Sequence, residues 1–126
     1  MSSQRFTDTE VWRAAHGFVL AVYAMTKEFP KEELFGLTSQ LRRAAVSIPA
    51  NFAEGFKKTG SMDKARYYNI AQGSLEECRY YLILSHDLGY AETSQLEEEL
   101  DRLGRLLSGY MQAMLSQTKR KQNAVM

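Results

Sequence analysis

At 126 residues the chain fits one domain that buries roughly two-thirds of its unfolded surface, so it needs neither disulfides nor a metal to fold. A formal charge of +1, from 16 Lys and Arg against 15 Asp and Glu, excludes a uniformly basic nucleic-acid binder, and the single cysteine, Cys78, excludes an intrachain disulfide and points to a reducing compartment. The polar stretch Met1 to Glu10 has no apolar signal core and nothing approaches the about 18 consecutive apolar residues of a membrane span, so a cytoplasmic location without membrane attachment is expected.

The first helix is predicted to open on a capping box, Thr7 to Glu10, and to end before Pro30. Val11, Ala15, Phe18, Val22, Met25 and Phe29 alternate spacings of four and three, which winds one apolar seam along a helix and marks the core face. The second helix begins between Glu32 and Leu37, carries Leu37, Leu41, Ala44, Ile48 and Phe52 on its seam, and stops at Lys57-Lys58-Thr59-Gly60. Pro49 removes a backbone donor in its middle and clashes with the carbonyl of Ala45, so a kink or local break is predicted there.

The third helix runs from Ser61 or Met62 to Leu88, with Tyr67, Ala71, Ser74, Cys78, Tyr81 and Ser85 on one stripe, Leu75 and Leu82 beside it, and Gly89 as its cap. The fourth starts at Thr93 or Ser94 and repeats Leu96, Leu100, Leu103, Leu107, Tyr110 and Met114. No period of two is sustained and the connections are short. The expected fold is therefore all-α, an antiparallel up-down-up-down four-helix bundle over residues 1–116, followed by a disordered basic C-terminal tail over 117–126.

The first helix carries a second apolar stripe, Trp12, Val19 and Tyr23, and the third adds Tyr68 and Tyr80 on adjacent faces. This excess over one core predicts a homo-oligomer interface, since aromatic residues are enriched at such contacts. Chemistry is harder to find. His16 and His86 are single, no glutamate–histidine pair sits at di-metal spacing, no glycine loop cradles phosphate and no serine has a neighbouring base, so neither catalysis nor a metal or cofactor is expected. Arg43, Ser47, Asn51 and Glu54 form a polar stripe beside the second helix's seam, best read as a structural network at helix or subunit contacts.

Up-down-up-down topology gathers Arg5, Arg13, Lys57, Lys58, Lys64, Arg66, Lys119, Arg120 and Lys121 at one end and most glutamates and aspartates at the other. A polarised molecule under a near-neutral total follows, with Lys57, Lys58, Lys64, Arg66, Lys119, Arg120 and Lys121 as candidate contacts for RNA or a nucleic-acid-processing protein. Without an aromatic platform among those cations, recognition is expected to be led by shape or to be non-specific. A protein-binding adaptor with no nucleic-acid role is the alternative.

The run from Lys31 to Gly55, KEELFGLTSQLRRAAVSIPANFAEG, resembles the four-helix-bundle family encoded in intervening sequences of bacterial 23S ribosomal RNA genes. Val11-Trp12, the stretch Ala71 to Glu77 and the stretch Asp87 to Tyr90 extend the likeness, which covers about residues 8 to 115. The resemblance implies a four-helix bundle assembled into a homopentameric ring, with no established enzymatic activity. The family is also similar to accessory proteins of diversity-generating retroelements, basic pentamers that bind a reverse transcriptase and nucleic acid.

Overall fold

A computed structural model of the chain describes residues 5–125; the first four residues of the expected domain, and Met126 of the expected tail, lie outside the described part. Among the described residues there are four α-helices and no strand: α1 Glu10–Thr26, α2 Leu37–Lys57, α3 Ser61–Asp87 and α4 Ser94–Val125, with short 3-10 turns at Phe6–Asp8 and Lys31–Glu33. Each helix packs against two of the other three, α1 on α2 and α4, α3 on α2 and α4, which closes the bundle.

The seams predicted from spacing are the seams observed. Val11, Ala15, Phe18, Val22 and Phe29 are buried from α1 and its exit, Leu37, Leu41, Ala44, Ile48 and Phe52 from α2, and Leu100, Leu103 and Leu107 from α4. On α3 the buried residues are Tyr68, Ala71, Ser74, Leu75, Cys78, Leu82 and Ser85, which keep Ala71, Ser74, Cys78 and Ser85 of the predicted stripe and replace Tyr67 by Tyr68 and Tyr81 by Leu82. The predicted stripe and the buried run Tyr68, Ala71, Leu75, Cys78, Leu82 and Ser85 both alternate spacings of three and four, and the room left by Gly55 on α2 takes the Tyr68 ring into the core and leaves Tyr67 half-buried.

The ends of the helices differ from expectation in informative ways. The N-cap of α1 is Thr9, whose Oγ1 accepts the Trp12 amide at 3.1 Å, and the predicted Thr7 cap lies inside the preceding 3-10 turn. Pro49 produces no break: α2 is helical from Leu37 to Lys57 with the proline ring buried inside it. Gly89 takes φ +79° beyond α3, and the amides of Gly89 and Tyr90 bond the carbonyls of His86 and Ser85, the paired bonds of a Schellman ending. The tail expected to be disordered is instead the last part of α4, because Lys119, Arg120, Lys121 and Gln122 are all good helix formers with no proline or glycine among them. At 32 residues α4 is about 48 Å long, and nearly every side chain from Leu115 to Ala124 is exposed.

The tightest helix contact is between α2 and α3. Phe52 and Tyr68 stack with ring centroids 5.3 Å apart, Tyr110 meets both edge-on at 5.1 and 5.7 Å, and Gly55 sits against Tyr67 and Tyr68. A Cβ on Gly55 would stand 2.6 Å from Tyr68 Cε1, closer than real atoms approach, and at a tight 3.0 Å from Tyr67 Cβ. Gly55→Ala is therefore expected to lower stability by about 1–3 kcal/mol, seen as an earlier midpoint in urea unfolding followed by circular dichroism, whereas Gly73→Ala, with open space around it, is expected to hold or raise the midpoint.

Candidate nucleic-acid interface

The structure divides two groups of side chains singled out from the sequence, the polar stripe on α2 and the aromatic and apolar set on α1 and α3. In the polar stripe, Asn51 Nδ2 donates to the carbonyl and to the Oγ of Ser47, both at 2.9 Å, and Ser47 Oγ shares a 2.7 Å hydrogen bond with Ser74 Oγ on α3. This is a helix-to-helix network of Ser47, Asn51 and Ser74. Arg43 and Glu54 do not belong to it; both are exposed and make no side-chain hydrogen bond or ion pair among the described residues. Arg43's longer side chain reaches the rim of a shallow cleft of about 330 Å³ shared with Gln40 and Glu77.

The expected oligomer surface divides in the same way. Tyr68 is 0% and Val19 8% exposed, so both belong to the chain's own core, whereas Tyr23 is 39% and Tyr80 58% exposed. Trp12 is half-buried, stacked on His16 at 4.8 Å and edge-on to Phe6 at 5.5 Å, and Arg42 lies 4.6 Å over the Tyr23 ring. Val19 fits the α1 seam at one residue from Phe18, and the wider buried face of α1 absorbs it.

The basic residues converge on the turn between α2 and α3. Lys58 Nζ lies 5.2 Å and Arg66 Cζ 5.3 Å from the centroid of the Tyr67 ring, and Lys57 is exposed beside them. Lys64 behaves differently. Its Nζ donates to the carbonyls of Phe56 at 2.7 Å and Gly55 at 3.2 Å and sits 5.6 Å over the Phe56 ring, so it caps the C-terminus of α2 and its burial lowers its pKa. Sequence alone groups it with the free cations; the structure commits it to the turn. The expectation that no aromatic group stands among the cations is corrected as well, by Tyr67 and Phe56. The local signal is the Arg66-Tyr67 dipeptide, hidden in the sequence because the helical period assigns Tyr67 to the core stripe.

Beside this cluster the N-terminal 3-10 turn folds back over the end of α2. Arg5, Phe6, Ala53, Glu54, Phe56 and Lys57 line an open groove of about 810 Å³ there. Lys119, Arg120 and Lys121 are exposed on the last turns of α4, and α4 meets α3 earlier along its length, where Arg79 bonds Asp101 and Gln72 bonds Ser108 at 3.1 Å. No acidic residue follows Asp101 in the chain.

The core offers little reactive chemistry. Cys78 is fully buried and its thiol is pushed up to about 12 by burial and by Glu77. Tyr68 is raised by burial and by Tyr110, and its hydroxyl is a buried side-chain atom with no partner among the described residues. Among the described residues no three His, Cys, Asp or Glu side chains stand close enough to hold a metal, and no helix is long and apolar enough to cross a membrane.

Two stability measurements separate these roles. Asn51→Ala removes two hydrogen bonds and leaves half-buried Ser47 Oγ with Ser74 as its one remaining side-chain partner, and a loss of about 1–2 kcal/mol is expected, against less than about 0.5 kcal/mol for Arg43→Ala, both read from thermal melts. Lys64→Met, which strips the cap from α2, is expected to lower the melting temperature, while Lys57→Met leaves it in place.

Residues 7–109 match the family model described as 23S rRNA-intervening sequence protein. A crystal structure from Bacteroides thetaiotaomicron VPI-5482, described as a protein with unknown function from the S23 ribosomal protein family, superposes with a TM-score of 0.74 over 81% of this chain and 95% of that one, at 23% identity. No curated protein matches the sequence. With four helices, the predicted seams and a match over most of its length, the chain belongs to the 23S rRNA-intervening sequence protein family.

Proposed function

We propose that this protein is a non-enzymatic, self-associating cytoplasmic scaffold that contacts RNA or a nucleoprotein through the basic end of an antiparallel up-down-up-down bundle. The observation that carries the reading is the convergence of Lys57, Lys58 and Arg66 on one turn, with Arg5 across the adjoining groove. Helix pairing supports the antiparallel arrangement: partners rise along one helix as they fall along the next, Ser47 with Ser74 and Phe52 with Tyr68, then Gln72 with Ser108 and Leu75 with Gly104. Exposed Leu20, Tyr23 and Val46 on α1 and α2, and Ile70, Tyr80 and Ile83 on α3, support self-association, with a homopentameric ring as the assembly the family likeness suggests. Repeating the basic end around such a ring would concentrate positive potential on one face.

A protein-binding adaptor is the second reading, favoured by the opposite end. There Phe35 is 92% and Leu34 and Leu88 each 49% exposed, among Glu32, Glu33 and Asp87.

The test is binding of the full chain to structured RNA and to duplex DNA across a salt titration, alongside a Lys57→Ala/Lys58→Ala double variant. Binding with a steep salt dependence is expected, and losing two phosphate contacts flattens the log–log slope by up to about 1.4–1.8. Absence of binding even at low salt would remove nucleic acid from the reading and leave the adaptor.

A further inference from the structure

The α2–α3 turn carries more than charge, and what it adds is of no use to a duplex. In a double helix the bases are stacked on one another, so a non-specific duplex binder needs cations free to follow phosphates and gains nothing from an aromatic ring among them. Here the ring is central. Lys58 and Arg66 are both drawn to within 5.3 Å of the Tyr67 centroid, which restrains two long side chains that would otherwise be ordered only on binding. The groove of about 810 Å³ at the end of α2, where Phe6, Phe56 and Ala53 supply apolar lining and Arg5 and Lys57 supply charge, joins the turn through Phe56, whose ring lies under Lys64 Nζ.

We infer that this turn and groove form a site for single-stranded nucleic acid, with unstacked bases packing against Tyr67, the Arg66 guanidinium plane and the Phe6–Phe56 groove while Lys57, Lys58 and Arg5 meet the phosphates. The inference rests on the nucleic-acid reading above and narrows it. An unpaired base offers a π-face whatever its identity, and a tyrosine ring or a planar guanidinium accepts it. Glu54, the one acid lining the groove, disfavours a phosphate there and leaves the groove to bases, whose exocyclic amino groups a carboxylate accepts. Sequence preference is correspondingly weak, because stacking is tolerant of base identity.

The experiment compares an unstructured single-stranded RNA 20-mer with its duplex by fluorescence anisotropy on the full chain, at one fixed salt concentration. The single strand is expected to bind at least about tenfold more tightly, and Tyr67→Leu to weaken it about tenfold, within the range of one base–aromatic contact, while leaving duplex binding within about twofold. Tyr67→Phe keeps the ring and is expected to bind as the unmodified chain does. Arg66→Lys keeps the charge but not the plane, and is expected to weaken the single strand alone. Since Tyr67 also packs against Gly55, the substitution at exposed Arg66 decides the question even where Tyr67→Leu impairs folding. Equal or tighter duplex binding, or a Tyr67→Leu and Arg66→Lys pair that weakens both ligands alike, would overturn the single-strand site and leave a basic phosphate-binding end intact. Failure to bind either ligand would sink both.

Discussion

The closeness of α2 to α3 at Gly55 sets the geometry of the whole basic end. With no Cβ at that position, the ring of Tyr68 lies directly on the α2 backbone, stacks on Phe52, and meets Tyr110 of α4 edge-on, so three helices share one aromatic cluster. Packing of this kind is rigid because interiors are filled to crystal-like density, and it fixes the axial position of α3 as well as its distance from α2. The Ser47–Ser74 hydrogen bond fixes the same register further along the pair, with Asn51 holding Ser47 in place. Between the two, the start of α3 has little freedom relative to the end of α2.

That constraint reaches the surface through Lys64. Once α3 begins where the aromatic cluster requires, Lys64 falls beside the last carbonyls of α2 and satisfies two of them, at Gly55 and Phe56. The Gly55 carbonyl also accepts the Lys58 amide, but a helix end without Lys64 would leave the Phe56 carbonyl to water and fray. Capped, the turn is firm enough to present Lys58, Arg66 and Tyr67 as one group and not as separate mobile side chains. The arrangement removes one cation from the free surface and in doing so places the others.

Much of the fold was readable because a buried face on a helix leaves a period that nothing else mimics. The α1, α2 and α4 seams and the Gly89 ending follow from spacing and from glycine's freedom at positive φ. Where two stripes overlap by one residue, as at Tyr67 and Tyr68, periodicity cannot choose between them, and the choice falls to Gly55 on a different helix, a tertiary fact absent from the local pattern. The same limit explains Val19, whose burial depends on how wide a face α2 and α4 leave for α1. It explains the polar stripe too: Arg43, Ser47, Asn51 and Glu54 lie side by side along α2, but only those opposite Ser74 find a partner. Pro49 was legible as a missing donor, yet the surrounding contacts of Ala45, Ile48 and Phe52 hold the helix through it. For the candidate interface, charge was visible in the sequence and the aromatic component was not, because the period assigns Tyr67 to the core.

The interior gives an independent reason to look for function on the surface. Apart from the Tyr68 hydroxyl, buried polar groups are engaged locally at three positions: Thr26 Oγ1 donates to the Val22 carbonyl and accepts from Arg42 Nε, both at 2.8 Å, Ser85 Oγ donates to the Tyr81 carbonyl at 2.7 Å, and Thr93 Oγ1 donates to Glu97 at 3.1 Å. Groups so engaged hold helices together and are not poised to act on a ligand. Cys78, with its thiol pushed up to about 12, is inert as a nucleophile at neutral pH. What distinguishes one end of the molecule from the other is therefore the distribution of exposed charge and aromatic surface. A net charge of +1 is compatible with strong local fields because α4 alone carries Glu97, Glu98, Glu99 and Asp101 near its start and only cations after Asp101. Along a rod of about 48 Å, several times the screening length in physiological salt, those opposite charges do not cancel, and each end meets its surroundings with its own sign.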